Sequence, residues 1–448
     1  MLRHRSFETG RFDLGNMVQA VWSTAHGHPL VITDLHGEQV SRLASHFDPI
    51  LLAFAPLWWL WPSPEMLLAV QALAIAAGAL PVYRLARKHL GSARAGTAFA
   101  LAYLLYPATG WLTLNEFHPV ALACPLLAYA IWFLDEERLV PFGIFVALAI
   151  VSKEEIGLVV AGLGVWYAFA HRRRLAGAAI VACGLAATAV AVGIVIPHFH
   201  GSKSPFYGRY AAVGGSGRGI VEGLFTDPWR VATVAFDHRG THYLLELVLP
   251  LAGLCLLAPL VLVAALPELA LNLLSSLGAQ KSIHFHYTAA EIPVLIAAAI
   301  FGARRLASHA RIAAAIPTVA VLAALVANYR LGPVPAWAAV PGGQTLQAHA
   351  ASVSGHDRAA AAAVRVIPAD AVVSATNSLG AHLSARRRYL AFPLLADARW
   401  IAVDSKNPSY LDVRDRPPAL AAIGRVSRNP RWQLVFARDG VLVFRRRA

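Results

Sequence analysis

Apolar segments alternate along the chain with short polar knots. The apolar runs cover residues 66–84, 95–114, 119–134, 139–151, 156–170, 175–196, 244–258, 260–276, 289–303 and 311–328. A helix needs about 20 residues to cross roughly 30 Å of hydrocarbon, and several runs fall short of that. Short or broken helices are tolerated where protein buries them or where they line a cavity. The pattern therefore predicts an all-α polytopic membrane bundle of about ten mostly short or broken transmembrane helices. Segment 47–62 is apolar but holds Pro49, Pro56 and Pro62. It reads as a re-entrant or interfacial element, with Trp58, Trp59 and Trp61 suited to the headgroup region.

Beyond residue 329 the periodicity changes. Runs 371–376, 388–392, 400–404, 432–436 and 441–444 alternate as strands do, and Arg438-Asp439-Gly440 is a hairpin turn signal. A helical stretch over 356–366 precedes the first strand, so a small C-terminal α/β domain is expected. The organisation that follows is an interfacial N-terminal segment (1–65), a transmembrane bundle (66–328) with a long polar loop at 197–243, and the soluble domain (340–448).

Lys and Arg in short loops set orientation. Arg84, Arg87, Lys88 and Arg94 fall in one loop, Arg172–Arg174 in another, and Arg304, Arg305 and Arg311 in a third. All three share the cytoplasmic side if 139–170 is two short spans broken at Ser152–Glu155. The polar knots, the 197–243 loop and the C-terminal domain then face the exterior.

Composition agrees with the class. The 448 residues are 57% hydrophobic and only 14% charged, against about 25% charged in soluble domains, and mean hydropathy is +0.54. The net charge of +14 carries no stacking or base-reading motif with it, so nucleic acid is not the expected partner. Cys124, Cys183 and Cys255 lie inside apolar runs, with neither a disulfide framework nor zinc spacing.

Ionisable groups near hydrocarbon are costly, so the knots are the candidate site. Asp13 opens a helix expected over 14–26, as an N-cap, as a general base or metal ligand, or as both. Asp48-Pro49 has the form of an N-cap followed by Pro, and His46 could join Asp48 on a cation. Glu116 and His118 flank a turn between two apolar runs and suit a cation, a proton or sugar hydroxyls. Ser152-Lys153-Glu154-Glu155 has the form of a capping box from Ser152 to Glu155. That leaves Lys153 and Glu154 for a phosphate or an internal ion pair. His284 and His286 alternate with Phe285 and Tyr287, so an extended backbone would point both rings one way, beside Lys281.

Taken together the knots resemble a bacterial multi-spanning family catalogued as domain of unknown function 2079. The resemblance rests on Phe7-Glu8-Thr9-Gly10-Arg11-Phe12-Asp13-Leu14-Gly15 with Gln19–Trp22, His46–Ile50, Glu116–Pro119, Ser152–Glu155, Leu266–Leu269, Ser282–Tyr287 and Ala375–Asn377. That family looks related to the GT-C glycosyltransferases, which take a sugar from a polyprenyl-phosphate carrier. The resemblance implies a GT-C-like fold, a polyprenyl-phosphate-linked sugar and membrane lipid as partners, and Asp13 as the acid serving the acceptor or a metal. His46, Asp48, Glu116, His118, Lys153, Glu154, His284 and His286 are the expected substrate-binding set, with a divalent cation as candidate cofactor. Such families usually carry a helix before the Phe-Asp-x-Gly motif, whereas twelve residues precede Asp13 here. A first helix lost from this copy, or a start upstream of Met1, is therefore expected. The alternative class is a transporter or flippase for a lipid-linked or polar solute, for which Glu246 and Glu268 are the internal acids.

Overall fold

The computed structural model describes residues 1–202, 205–346, 352–407, 409, 412 and 416–447. Its principal helices in the first half are α1 (Asn16–Ala25), α2 (Pro64–Leu90), α3 (Ala93–Leu105), α4 (Pro107–Leu114), α5 (Ala123–Asp135), α6 (Leu139–Ile150), α7 (Ile156–Ala170) and α8 (Arg174–His200). The second half adds α9 (His238–Val248), α10 (Leu266–Leu274), α11 (Glu291–Leu306), α12 (Ala310–Leu331), α13 (Gly355–Val366), α14 (Asn377–Leu383) and α15 (Arg416–Arg428). Among the described residues, α2, α8 and α12 are long and apolar enough to cross a membrane, and α3, α5, α6 and α7 are shorter apolar helices. At about 1.5 Å per residue α6 reaches only ~18 Å. The bundle is thus short-helixed where the sequence pattern is short.

The expected spans 244–258 and 260–276 are not two helices. After α9 the chain runs through 3₁₀ turns at Leu249–Leu251 and Leu254–Leu257 and a single turn at Pro259–Leu262 before α10. Pro250, Pro259 and Pro267 sit at the first or second position of these pieces, and Ala252 and Gly253 adopt positive φ. Each proline withholds an N–H and ends the preceding helix. The broken pieces pack on α11, whose residues Glu291–Ile300 are buried without interruption. That helix is the pillar of the main core, against which α2, α5 and the 254–257 turn lie.

The N-terminal segment holds a two-stranded hairpin, β1 (Val31–Thr33) with β2 (Gln39–Ser41), and then a 3₁₀ turn at Pro49–Phe54 leading into a helical turn at Ala55–Leu60. Trp58 is buried there while Trp59 and Trp61 are exposed.

The C-terminal sheet has five strands: β3 (Val373–Ala375), β4 (Tyr389–Ala391), β5 (Trp400–Asp404), β6 (Trp432–Arg438) and β7 (Val441–Arg446). Their order is β4-β3-β5-β7-β6, parallel among the first three and antiparallel thereafter. The expected strands and the 356–366 helix are all present, so the small α/β unit of the predicted fold class is there. Asp439 and Gly440 both take positive φ in the two-residue β6–β7 loop, which is the requirement of a type I′ hairpin.

One imidazole pins this unit. His356, in the first turn of α13, meets Asp404 at the end of β5 at 2.8 Å through Nε2 and Asp439 of the hairpin at 3.2 Å through Nδ1. Burial opposes protonation of the ring, but hydrogen bonds and charge from Asp404 and then Asp439 outweigh it and raise the pKa. A histidine whose folded pKa lies above its unfolded value of about 6.5 contributes its full stabilisation below that value and loses it as pH rises through the folded pKa. Hydrogen exchange of β5–β7 should therefore accelerate as pH is raised from 6 to 9, after correction for intrinsic rates. In His356→Gln that extra pH dependence should vanish; an unchanged profile would remove His356 from the pin.

Candidate functional site at the Asp13 turn

Residues Arg11–Gly15 form one π-helical turn that runs directly into α1. Such turns widen the helix by a residue and recur at functional sites. Asp13 lies inside the turn and caps nothing, so its expected role as N-cap is not realised. Its carboxylate instead approaches His118 Nε2 at 3.2 Å, with 53% of the Asp13 side chain accessible and 8% of His118. The Asp13 carboxylate is thus open to solvent beside a buried imidazole. Burial works against its ionisation, but the charge and hydrogen bond of His118, and then Arg42, hold the carboxyl below its usual range.

Two partners from distant parts of the chain hold the turn. Glu116, in the loop between α4 and α5, accepts the Gly10 N–H through one oxygen and the Leu14 N–H through the other, both at 2.9 Å. From the C-terminal unit, Asn377 accepts the Phe12 N–H at 3.1 Å. A Cβ at Gly10 would stand 2.5 Å from Asn377 Nδ2, so a larger residue there would push the Asn377 amide aside. The surrounding seam is extensive. His382 donates to the His4 carbonyl at 2.8 Å and stacks on His4 and Phe7, Gln19 donates to the Arg386 carbonyl at 3.2 Å, and buried Arg11 lies over the Tyr389 ring. Burial, and then the charge of Asp13, push the Glu116 pKa up to about 8, with the two N–H donors pulling the other way. Neighbouring carboxyls with pKa values driven apart are the arrangement that lets one act as base while the other keeps its proton.

His118 donates from Nδ1 to the Glu116 carbonyl at 2.8 Å, because a carbonyl oxygen can only accept. Its Nε2 is thereby aimed at Asp13. The ring stacks on His286 at 3.7 Å between centroids, and His286 adjoins Tyr287, whose ring faces Lys153 Nζ at 5.7 Å. Lys153 pairs with Glu155 at 2.9 Å. Glu154 accepts from the Phe47 N–H at 3.0 Å and meets His46 Nδ1 at 2.8 Å. Burial disfavours the Glu154 carboxylate, but charge and hydrogen bonding from His46, and then Lys153, take its pKa down to about 2. The His46 ring stacks on Phe206, over which Arg209 lies at 4.5 Å. Asp13, His118, His286, Lys153, Glu154 and His46 thus form one connected line.

Other candidates go elsewhere. The expected capping box is absent: Ser152 donates to the Ala149 carbonyl and Glu155 is drawn to Lys153, because a buried ammonium needs a counter-charge more than a helix end needs a cap. Asp48 pairs with Arg42 at 2.9 Å, makes no side-chain cap and is not joined to His46. His284 turns towards Trp111 and Ser282 while His286 faces His118. Ile283 and His284 form a turn and the chain bends at Phe285 instead of running extended, so the two rings do not share a face. Lys281 is bound to Asp237 at 2.8 Å and to the Val234 carbonyl. Among the described residues, no three His, Cys, Asp or Glu side chains converge as a metal-ligand set.

A family model described as a predicted membrane protein, DUF2079, matches residues 3–443. The chain belongs to the DUF2079 family. Among solved structures it is similar to ArnT from Cupriavidus metallidurans, crystallised with undecaprenyl phosphate, at a TM-score of 0.48 and 14% identity over 96% of this chain and 93% of that one. No curated protein matches it.

Sequence reasoning passed over three residues of this DUF2079 site. Glu155 was absorbed into the supposed cap, and Arg209 lies in the long polar loop with no motif around it. Glu291 interrupts the apolar run 289–303. It accepts from Tyr243 at 2.6 Å and from Asn272 at 2.9 Å, directly behind Tyr287, whose carbonyl accepts from the same Asn272. An acid inside an apolar run was the signal for Glu291.

Removing the Glu116 side chain leaves two buried N–H groups unpaired, each costing about 1–3 kcal/mol. Glu116→Ala should speed hydrogen exchange at Gly10 and Leu14 by at least tenfold, and Glu116→Gln, which keeps an acceptor oxygen, by less. Equal exchange in wild type and Glu116→Ala would mean the turn does not depend on Glu116.

Proposed function

We propose that this DUF2079 protein is a membrane glycosyltransferase. It would transfer a sugar from a polyprenyl-phosphate donor to an acceptor hydroxyl at the exterior face of the cytoplasmic membrane. The observation that carries the reading is Asp13: a carboxylate kept ionised, accessible, and held in a π-helical turn with His118 at 3.2 Å. A general base needs reach, the right protonation state and a rigid support.

In this reading Asp13 takes the proton from the acceptor hydroxyl as its oxygen forms a bond to the anomeric carbon. The bond from that carbon to the phosphate oxygen breaks, and its electron pair leaves with the polyprenyl phosphate. Direct displacement inverts the sugar. Negative charge grows on the departing phosphate, where fixed cations lower the barrier. Lys153 is already balanced by Glu155, so Arg209, braced over Phe206 beside His46 and bearing electrostatically on His286, is the better-placed cation. His118 and His286 would contact sugar hydroxyls, and the C-terminal unit would hold the turn beside them through Asn377. Glu116 and Asp48 act in this account by positioning the chain.

A second reading, a transporter or flippase for a lipid-linked or polar solute, draws on Glu268 and Glu291, both fully or nearly buried in the bundle, because buried acids also serve proton relays.

The test is sugar release from a panel of polyprenyl-phosphate-linked hexoses, pentoses and aminosugars by the protein in nanodiscs. Asp13→Asn should lower kcat on the order of 10²–10⁴-fold with little change in KM, whereas Arg209→Gln should lower kcat and raise KM together. Equal turnover by wild type and Asp13→Asn would remove Asp13 from the chemistry. No turnover by either, with solute movement in proteoliposomes, would favour transport.

A further inference from the structure

Three helices run away from the Asp13 region and end together. α5 follows the His118 loop, α7 follows Lys153–Glu155, and α11 follows His286. Their lengths of 13, 15 and 16 residues put their far ends about 20–24 Å from the first site. There the structure holds a cavity of about 570 Å³ lined by Lys88, His89, Asp135, His171, Arg304 and Arg305, with Trp166, Phe301, Leu260 and Val261 among its apolar walls.

The polar half of this cavity is organised from within. Asp135, 5% exposed, meets Lys88 at 2.7 Å and His89 Nε2 at 2.9 Å. Arg304 donates to His89 Nδ1 at 2.9 Å, which makes that nitrogen the acceptor and leaves Nε2 to donate to Asp135. Asp135 therefore orients a lysine and, through one imidazole, an arginine. Arg305 is anchored by a hydrogen bond to the Leu257 carbonyl. Neither Arg304 nor Arg305 has a carboxylate within 4.0 Å among the described residues, while the acids nearby, Asp135 and Glu136, are both engaged by Lys88. Arginines that serve only to set topology need no cavity, no buried carboxylate behind them and no aromatic wall. Paired guanidinium groups beside a lysine match the oxygens of a phosphate. The apolar wall of Trp166, Phe301, Leu260 and Val261 would accept the carbon chain next to it.

We propose that this cavity is a second binding site, separate from the Asp13 turn, for a phosphate group carried on an amphipathic or small molecule. By the distribution of Lys and Arg in the loops it opens on the cytoplasmic side, where the headgroups of anionic phospholipids and soluble phosphate esters are both in reach. The site is independent of the glycosyltransferase reading.

The experiment uses the full chain in detergent. Short-chain phosphatidic acid, short-chain phosphatidylcholine and inorganic phosphate are titrated separately by calorimetry, with bound lipid counted by native mass spectrometry. Wild type should bind phosphatidic acid in a one-to-one complex and discriminate against phosphatidylcholine at least tenfold. The double variant Arg304→Gln, Arg305→Gln should weaken binding at least tenfold. Ala170→Trp, which fills the rim without removing a charge, should do the same in a protein with unchanged thermal stability. Arg304→Lys with Arg305→Lys should retain part of the affinity. Binding of inorganic phosphate as well would identify the phosphate alone as the ligand; binding of phosphatidic acid only would identify a lipid headgroup. Binding to neither, equal binding of phosphatidylcholine, or binding unaffected in both the double glutamine variant and Ala170→Trp would overturn the proposal.

Discussion

The five-residue turn Arg11–Gly15 is held by groups more than a hundred and more than three hundred and sixty residues away, and the site depends on that hold. Glu116 satisfies the N–H groups of Gly10 and Leu14, and Asn377 satisfies that of Phe12. A π-helical turn is rare and recurs at functional sites. With its backbone donors taken up from outside, the turn leaves the Asp13 side chain with no structural duty, free to face His118. The bundle and the C-terminal unit therefore meet at an accessible carboxylate held below its usual pKa range by His118.

Charge balance explains the rest of the line. Lys153 and the carboxylates Glu154 and Glu155 lie at a break between two short helices, where each would be expensive alone. Pairing Lys153 with Glu155 and Glu154 with His46 resolves the cost locally. The same pairing leaves Lys153 balanced by Glu155, whereas Arg209 lies over Phe206 beside His46. The imidazole stack of His118 on His286 then links this charged break to the Asp13 turn, so the α6–α7 break, the α4–α5 loop and the segment before α11 converge on one site.

The sequence pattern was most legible where periodicity decides structure. The strands of the C-terminal sheet and the Asp439–Gly440 hairpin follow from alternation and turn chemistry, and the shortness of α6 and α7 follows from the charged break between them. It was least legible where tertiary partners override local rules. Asp13 and Ser152 both stand at positions that usually cap helices, but Glu116 and Lys153 rewrite those roles from a distance. His284 and His286 alternate as if extended, but the chain there is bent by turns and the rings part. Prolines at 250, 259 and 267 were visible, yet the apolar run around them was long enough to imitate two spans. Arg209 carries no local signal at all, since it comes beside His46 only through Phe206, when the 205–213 turn folds over that ring.

The most direct test of this account is a cryo-electron microscopy structure of the protein in nanodiscs with decaprenyl phosphate. The account predicts phosphate density within hydrogen-bonding distance of Arg209, the lipid tail passing between helices, and an open volume between that phosphate and Asp13 large enough for a sugar. A phosphate bound away from Arg209, or an Asp13 carboxylate covered by protein in the lipid-bound state, would contradict it.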